Sequence, residues 1–280
     1  MIAEALSPAA SRADGDLYPI VGGRICTRSL EVHIVDHCNL RCADCCSLSP
    51  ILPKWLIDPA DLARDLAFAE KALAPKWFKL VGGEPLLHPA IDECLAVARG
   101  AGIAGRVSVT TNGFFLPRMS ARFWELAQAL TISLYPQPAL PSETIEEISR
   151  RAEAHGIPIN WKKQDRFVQM DRHRPREDED ATRAIYLGCW LRRRCHILSR
   201  GRFYTCTRPA HLQTLLGDQY LEDGILLHDR AELMPEIHSY LHREDAIRAC
   251  AVCEGGHAPD APHRQMTPGQ VQASRAAWTG

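Results

Sequence analysis

No stretch of this 280-residue chain approaches the ~18 consecutive apolar residues that would suggest a membrane span. A charge excess is also missing: 33 Lys+Arg stand against 34 Asp+Glu. Without a basic surplus, neither nucleic acid nor an anionic membrane is an expected partner. The first eleven residues lack the charged-then-apolar pattern of a secretory signal, so a cytoplasmic location is expected. What the chain does have is cysteine, 11 residues in all. In a chain without an export signal, metal binding explains that richness better than disulfides do.

The cysteines open with Cys38-Asn39-Leu40-Arg41-Cys42-Ala43-Asp44-Cys45, just after the strand-like run Leu30–Val35. Three thiolates at C-x3-C-x2-C spacing can surround one iron–sulfur cube and leave one iron open to a non-protein ligand. The plain alternative is a zinc knuckle. Zinc closes tetrahedrally on four ligands, and no fourth cysteine or histidine stands nearby at a usual spacing; Cys46 adjoins Cys45 and would strain a chelate.

Hydrophobic patterning predicts strands at Val32–Val35, Trp77–Val81, Val107–Thr111, Leu130–Leu134 and Ile157–Trp161. Helices are predicted between them at Pro59–Leu73, Ala90–Arg99, Ala121–Ala129 and Ser142–His155. Such alternation implies parallel βαβ units. The expected class is α/β, an open partial (β/α)6 TIM-like barrel with a small C-terminal auxiliary domain. In parallel α/β folds chemistry sits at the carboxyl ends of the strands. Cys38–Cys45, Gly82–Pro85, Thr111–Gly113, Tyr135–Gln137 and Lys162–Gln164 all fall there. The expected domains are a mobile lead-in (1–28), the core (29–165), a linker with a second cysteine region (166–257) and a loosely ordered tail (258–280). Within the third, Arg172–Asp180 reads as solvated linker, 197–205 as a hairpin turning at Gly201, and Pro235–His242 as a helix.

With Gly82-Gly83-Glu84-Pro85 closing the second strand, residues 30–165 resemble the radical S-adenosylmethionine (radical SAM) superfamily. The resemblance implies a [4Fe–4S] cluster on Cys38, Cys42 and Cys45, with S-adenosylmethionine on the free iron. It further implies reductive cleavage to a 5'-deoxyadenosyl radical that abstracts hydrogen from substrate, and an electron donor such as flavodoxin or ferredoxin. It assigns Gly82, Gly83, Glu84 and Pro85 to the methionine amino group, the glycines allowing close backbone approach. Asn112 and Ser133 match positions near the ribose or carboxylate, with turn formation and strand packing as equal alternatives. Asp44 stands where the family commonly has an aromatic that touches adenine, so that contact must come from elsewhere.

Cys189, Gly201, Cys206 and the pair Cys250-Ala251-Val252-Cys253 resemble the shortened auxiliary-cluster (twitch) domain behind some radical SAM cores. That implies a second [4Fe–4S] cluster on Cys189, Cys206, Cys250 and Cys253; a structural zinc site on the same four is the competing reading. Three readings stand for Cys195: a replacement ligand, a thiol that returns a hydrogen atom as in related epimerases, or a buried small hydrophobe. Cys26, Cys46 and Cys94 read as packing residues.

The same spacing resembles dehydrogenases of the 2-deoxy-scyllo-inosamine type, and related epimerases, from aminoglycoside antibiotic biosynthesis. It implies a small, carbohydrate-like substrate, hydroxylated or amino-bearing, that is oxidised or epimerised. Tyr135, Gln137 and Lys162 are the substrate-facing candidates, Lys162 as a fixed cation near developing negative charge; a solvated strand end is the simpler account of each. The rivals are a peptide-modifying maturase, a non-catalytic iron–sulfur electron carrier and a zinc-finger binding module.

Overall fold

The computed structural model describes residues 17–279. A short strand β1 (Ile20–Val21) pairs antiparallel with the start of β2 (Arg24–Val35), the long strand on which the sheet is built. In β2 the side chains of Leu30, Val32 and Ile34 enter the main core, while Glu31 and His33 alternate with them and turn to the opposite face. Helix α1 (Pro59–Ala72) starts where it should: the Asp58 carboxylate accepts from Ala60 N at 2.8 Å and Pro59 takes the first position. Its buried stripe of Leu62, Leu66 and Ala69 packs on the sheet.

The chain then continues as β3 (Leu73–Gly82), α2 (Ile91–Gly100), β4 (Val107–Thr111), α3 (Ala121–Leu126), β5 (Leu130–Leu134), α4 (Ser142–Ala154) and β6 (Ile159–Lys163). Strands β2 to β6 lie side by side in chain order, every pair parallel. Their carboxyl ends therefore form one rim. The expected α/β partial barrel is present.

Beyond it come β7 (Arg166–Val168), α5 (Glu179–Gly188), β8 (His196–Ser199), β9 (Arg202–Tyr204), α6 (Thr207–Leu216), β10 (Ile225–Leu226), α7 (Leu233–His242), β11 (Asp260–Pro262) and α8 (Pro268–Thr279). The hairpin is β8–β9, turning through Arg200 and Gly201, both at positive φ. The sixth parallel strand is β8, and it joins the free side of β2 rather than β6, with Leu30 opposite His196 and Val32 opposite Leu198. Leu198 and Phe203 enter the main core, whereas Ile197 and Tyr204 form a separate small core with Ala210 of α6. Helix α6 thus lies on the inner face of the sheet.

Three expectations need correction. The lead-in does not reach residue 28: residues 1–16 lie outside the described part, and Tyr18 is already buried. The tail is not loosely ordered. Strand β11 pairs with β7, and α8 buries Trp278. Arg172–Asp180 is no free linker either, because Arg172 and Arg176 both pair with Glu254, at 3.0 and 2.7 Å. Among the described residues no helix is long and apolar enough to cross a membrane.

Candidate active site

The loop after β2 brings Cys38, Cys42 and Cys45 together. Burial pushes the Cys38 thiol up to about 12, with Glu84 and Cys42 adding to the shift. Cys45 is raised by burial and by the thiols of Cys46, Cys42 and Cys38. A bound metal centre would supply the positive charge that lets such buried thiols ionise together.

The Gly-Gly-Glu-Pro segment closes β3 against this loop. A Cβ on Gly82 would stand 2.1 Å from the Val35 carbonyl oxygen, and one on Gly83 2.2 Å from that of His37. Gly83 N donates to Val35 O (2.8 Å) and Glu84 N to His37 O (3.0 Å). The glycines are thus demanded by the protein's own backbone, before any ligand is considered. Glu84 is fully buried, and its carboxylate accepts from Thr111 Oγ1 (2.6 Å), Asn112 N (2.8 Å) and Leu86 N (3.1 Å). Burial still pushes its pKa up to about 7. Buried Pro85 opens the single 3-10 turn that follows. Asn112 in turn donates to Asn39 Oδ1 (2.7 Å), which ties the end of β4 to the cysteine loop. Ser133 is buried on β5 beside Tyr135.

Two residues of this site escaped the sequence reading. Gln265 Nε2 donates to Cys42 Sγ at 3.2 Å, and His263 Nε2 lies 3.2 Å from the same sulfur. They are held there by backbone bonds from Ala43 N to Arg264 O (2.9 Å) and from Met266 N to Arg41 O (2.7 Å). Nothing in Pro262–Met266 carries a periodic or motif signal that would have found them. The Tyr135 ring stacks on Phe167 and His263, with centroids 6.1 and 4.9 Å away. Its phenol is raised well above the usual range by burial, then by Cys42 and Cys45. Tyr135 therefore belongs with the cysteine loop. A cavity of ≈ 370 Å³ opens beside the loop, bordered by Cys42, Asp44, Cys45, Asp171 and Arg264.

The inner face of the sheet forms a second, polar locality. Glu31 and Lys79 stand opposite each other on β2 and β3 and pair at 2.9 Å. Burial pushes the Cys195 thiol up to about 12, and the charges acting on it are Glu31, Lys79, Cys46 and Lys162. The thiols acting on Cys206 are instead Cys250, Cys189 and Cys253. The charges that act on Cys195 are thus those of the inner face of the sheet, not those of the four cysteines. Lys162 shares this locality and is exposed; Gln137 is exposed beyond the rim. Cys46 is exposed too, so its packing reading is corrected, whereas Cys94 is buried against His88. Strand alternation could have pointed to Glu31 and Lys79.

The other four cysteines converge. Cys189 follows α5, Cys206 precedes α6, and Cys250 and Cys253 lie in and after the turn at Arg248–Val252. All four face one small cavity with Tyr186, Thr205 and Arg208. Cys253 Sγ accepts from Gly255 N and Cys189 Sγ from Gly256 N, each at 3.3 Å. Such backbone donors stabilise thiolate charge. One further buried group, His33, Asp36 and His211, has its ligand atoms within 4.8 Å. Its carboxylate is already paired with Arg200 at 2.6 Å, and the two imidazoles contact each other at 3.0 Å. The group joins α6 and the hairpin turn to the end of β2.

No family model matches the chain. A GTP 3',8-cyclase from Mycobacterium marinum is 38% identical over 124 residues, 42% of this chain and 34% of that protein. GTP 3',8-cyclase 2 of Mycobacterium tuberculosis is 33% identical over 122 residues, 40% of this chain and 34% of its own length. The chain thus spans about a third of the length of these curated relatives. Among solved structures, BtrN in an open conformation overlaps 82% of this chain and 92% of its own, at 15% identity and a TM-score of 0.44. Streptococcus suis SuiB overlaps 75% and 65%, at 12% identity and a TM-score of 0.42. The three-cysteine loop, the Gly-Gly-Glu-Pro strand end packed against it and the partial sequence similarity make the chain similar to radical SAM enzymes, a likeness that implies a [4Fe–4S] cluster and S-adenosylmethionine as cofactors.

Proposed function

We propose that this protein oxidises a small hydroxylated or amino-bearing, carbohydrate-like substrate by hydrogen abstraction, with a second [4Fe–4S] cluster taking up the remaining electron. Cys38, Cys42 and Cys45 would hold the first cluster, and Gly82–Pro85 with Asn112 would shape the S-adenosylmethionine site. Bound there, the two cofactors supply a radical able to remove one hydrogen atom. The inner-face residues do the rest. Lys79 and Lys162 offer cations to an oxygen that gains negative charge, and Glu31 holds Lys79 in place and offers an acceptor to a hydroxyl or ammonium. Oxidation by two electrons needs a second one-electron acceptor. The observation that carries the reading is the convergence of Cys189, Cys206, Cys250 and Cys253 on one cavity, since four thiolates close a cluster with no iron left open to substrate.

Epimerisation is the second reading, supported by Cys195. Burial keeps its thiol protonated, the form that has a hydrogen atom to return. Both readings are tested on anaerobically reconstituted protein given amino sugars, aminocyclitols and GTP in turn. About eight irons per chain, falling to about four in a Cys38/Cys42/Cys45→Ala variant, are expected for two four-iron sites. Zinc in the variant in place of iron would sink the oxidation reading. A Cys195→Ala variant that still yields ketone supports oxidation, whereas one that consumes S-adenosylmethionine but no longer inverts the substrate supports epimerisation.

A further inference from the structure

Arg208 occupies an unusual position. It is the second residue after Cys206, in the first turn of α6, and is only 2% exposed. Its guanidinium borders the cavity of the four cysteines. Nη2 pairs with Asp171 at 2.7 Å and the Trp278 ring lies 5.4 Å from the guanidinium carbon, yet Nε and Nη1 have no hydrogen-bond partner among the described residues. Buried donors left unpaired cost free energy, and each one calls for an explanation. The charges that act on Arg208 are Asp171, Cys253 and Cys46. Cys253 belongs to the second cysteine set, whereas Cys46 adjoins Cys45 of the first; Arg208 stands between the two. The other buried arginine at the cavity, Arg192, is already engaged: it lies 4.1 Å over the Tyr186 ring and donates to the Arg243 carbonyl.

We propose that Arg208 is a positioning and tuning residue for the auxiliary cluster, its guanidinium donating to the Cys253 thiolate or a cluster sulfide and holding the reduced state low in energy. The inference rests on reading the four cysteines as a cluster site. Each one-electron reduction adds a negative charge to the cluster, and a buried cation beside it stabilises the added charge more than the starting state. Net charge, hydrogen bonds to sulfur and solvent exposure set such potentials; here burial opposes the added negative charge, and the Arg208 cation with its N–H donors offsets that penalty. The step it serves moves one electron from the substrate radical to the cluster while the substrate hydroxyl or amine loses its proton to solvent. Asp171 partly offsets the cation, but it is 20% exposed on its side chain against 3% for Arg208, so water screens it more.

The test is a redox titration followed by electron paramagnetic resonance in the Cys38/Cys42/Cys45→Ala background, where only the auxiliary site carries iron. Arg208→Met should cut the fraction reduced at a fixed potential tenfold or more, a downward shift of about 59 mV per tenfold for one electron. Arg208→Lys should recover part of it. Asp171→Asn removes the countercharge and should shift the midpoint upward, which decides the matter should Arg208→Met fail to fold. Unmoved midpoints in the folded variants would overturn the inference while leaving the cluster reading intact. A background variant that holds zinc and no iron would overturn both.

Discussion

Glu84 commits both carboxylate oxygens to neighbours within the protein. Family resemblance assigned it to the methionine amine, but its partners here are Thr111, Asn112 and Leu86. Through Asn112 it also fixes Asn39 beside Cys38. Glu84→Ala would leave buried donors unpaired, at ~1–3 kcal/mol for each, so urea unfolding should show a loss of several kcal/mol; a Glu84→Gln variant should lose less. A loss under about 1 kcal/mol for the alanine would mean that water replaces the carboxylate. Gly83→Ala tests the packing side of the same motif. Its methyl group would strike the His37 carbonyl, and overpacking of this kind costs ~1–3 kcal/mol. Because His37 adjoins Cys38, iron retention at the first site should fall with it. These motif residues were legible because their chemistry is packed into short covalent spacing. His263 and Gln265 were not, since a residue two hundred positions from Cys42 gives no local sign of touching it.

At the scale of elements, the sequence showed the strands and helices of the barrel and even the β8–β9 hairpin. The periodic, capped helices were the clearest: Asp58-Pro59 announces α1, and the helix begins there. Strand β11 and helix α8 were missed for a physical reason. Three residues of strand and a helix whose one described buried side chain is Trp278 have no amphipathic pattern of their own. Strand β11 is ordered by β7, the segment after it by the cysteine loop, and α8 by α6. Deleting residues 259–279 should therefore loosen residues 38–45 rather than unfold the barrel. Removing the backbone bonds at Ala43 and Arg41, worth ~1 kcal/mol each, should speed amide exchange in that loop by roughly tenfold or more, since a factor of ten corresponds to about 1.4 kcal/mol. Iron at the first site should become easier to remove with chelator. Unchanged exchange in 38–45 would show the loop to be self-supporting.

For the whole molecule, the informative feature is where β8 pairs. Five strands follow one another in the sequence, and their neighbours could be read from that order. The sixth returns across more than a hundred residues to the free edge of β2, and no local pattern in His196–Ser199 says so. That return has an electrostatic consequence, because it places His196 wholly inside, paired opposite Leu30, with Nδ1 at 3.1 Å from the Thr205 carbonyl oxygen. Burial lowers its pKa from 6.5 to about 4. Between those values the unfolded chain takes up a proton and the folded chain does not. Its contribution to stability is therefore complete above about pH 6.5, is lost as the pH falls toward 4, and does not recover below. Between pH 7 and pH 5 the loss from this one group is about 2 kcal/mol, at ~1.4 kcal/mol per pH unit below the unfolded pKa. His196→Gln keeps a polar side chain that cannot titrate. Urea unfolding at the two pH values should show the variant losing about 2 kcal/mol less than the parent over that interval, whatever its stability at pH 7. An equal loss in both proteins would mean that the His196 side chain reaches solvent in the native state, and that the β8–β9 part of the sheet opens without unfolding the barrel.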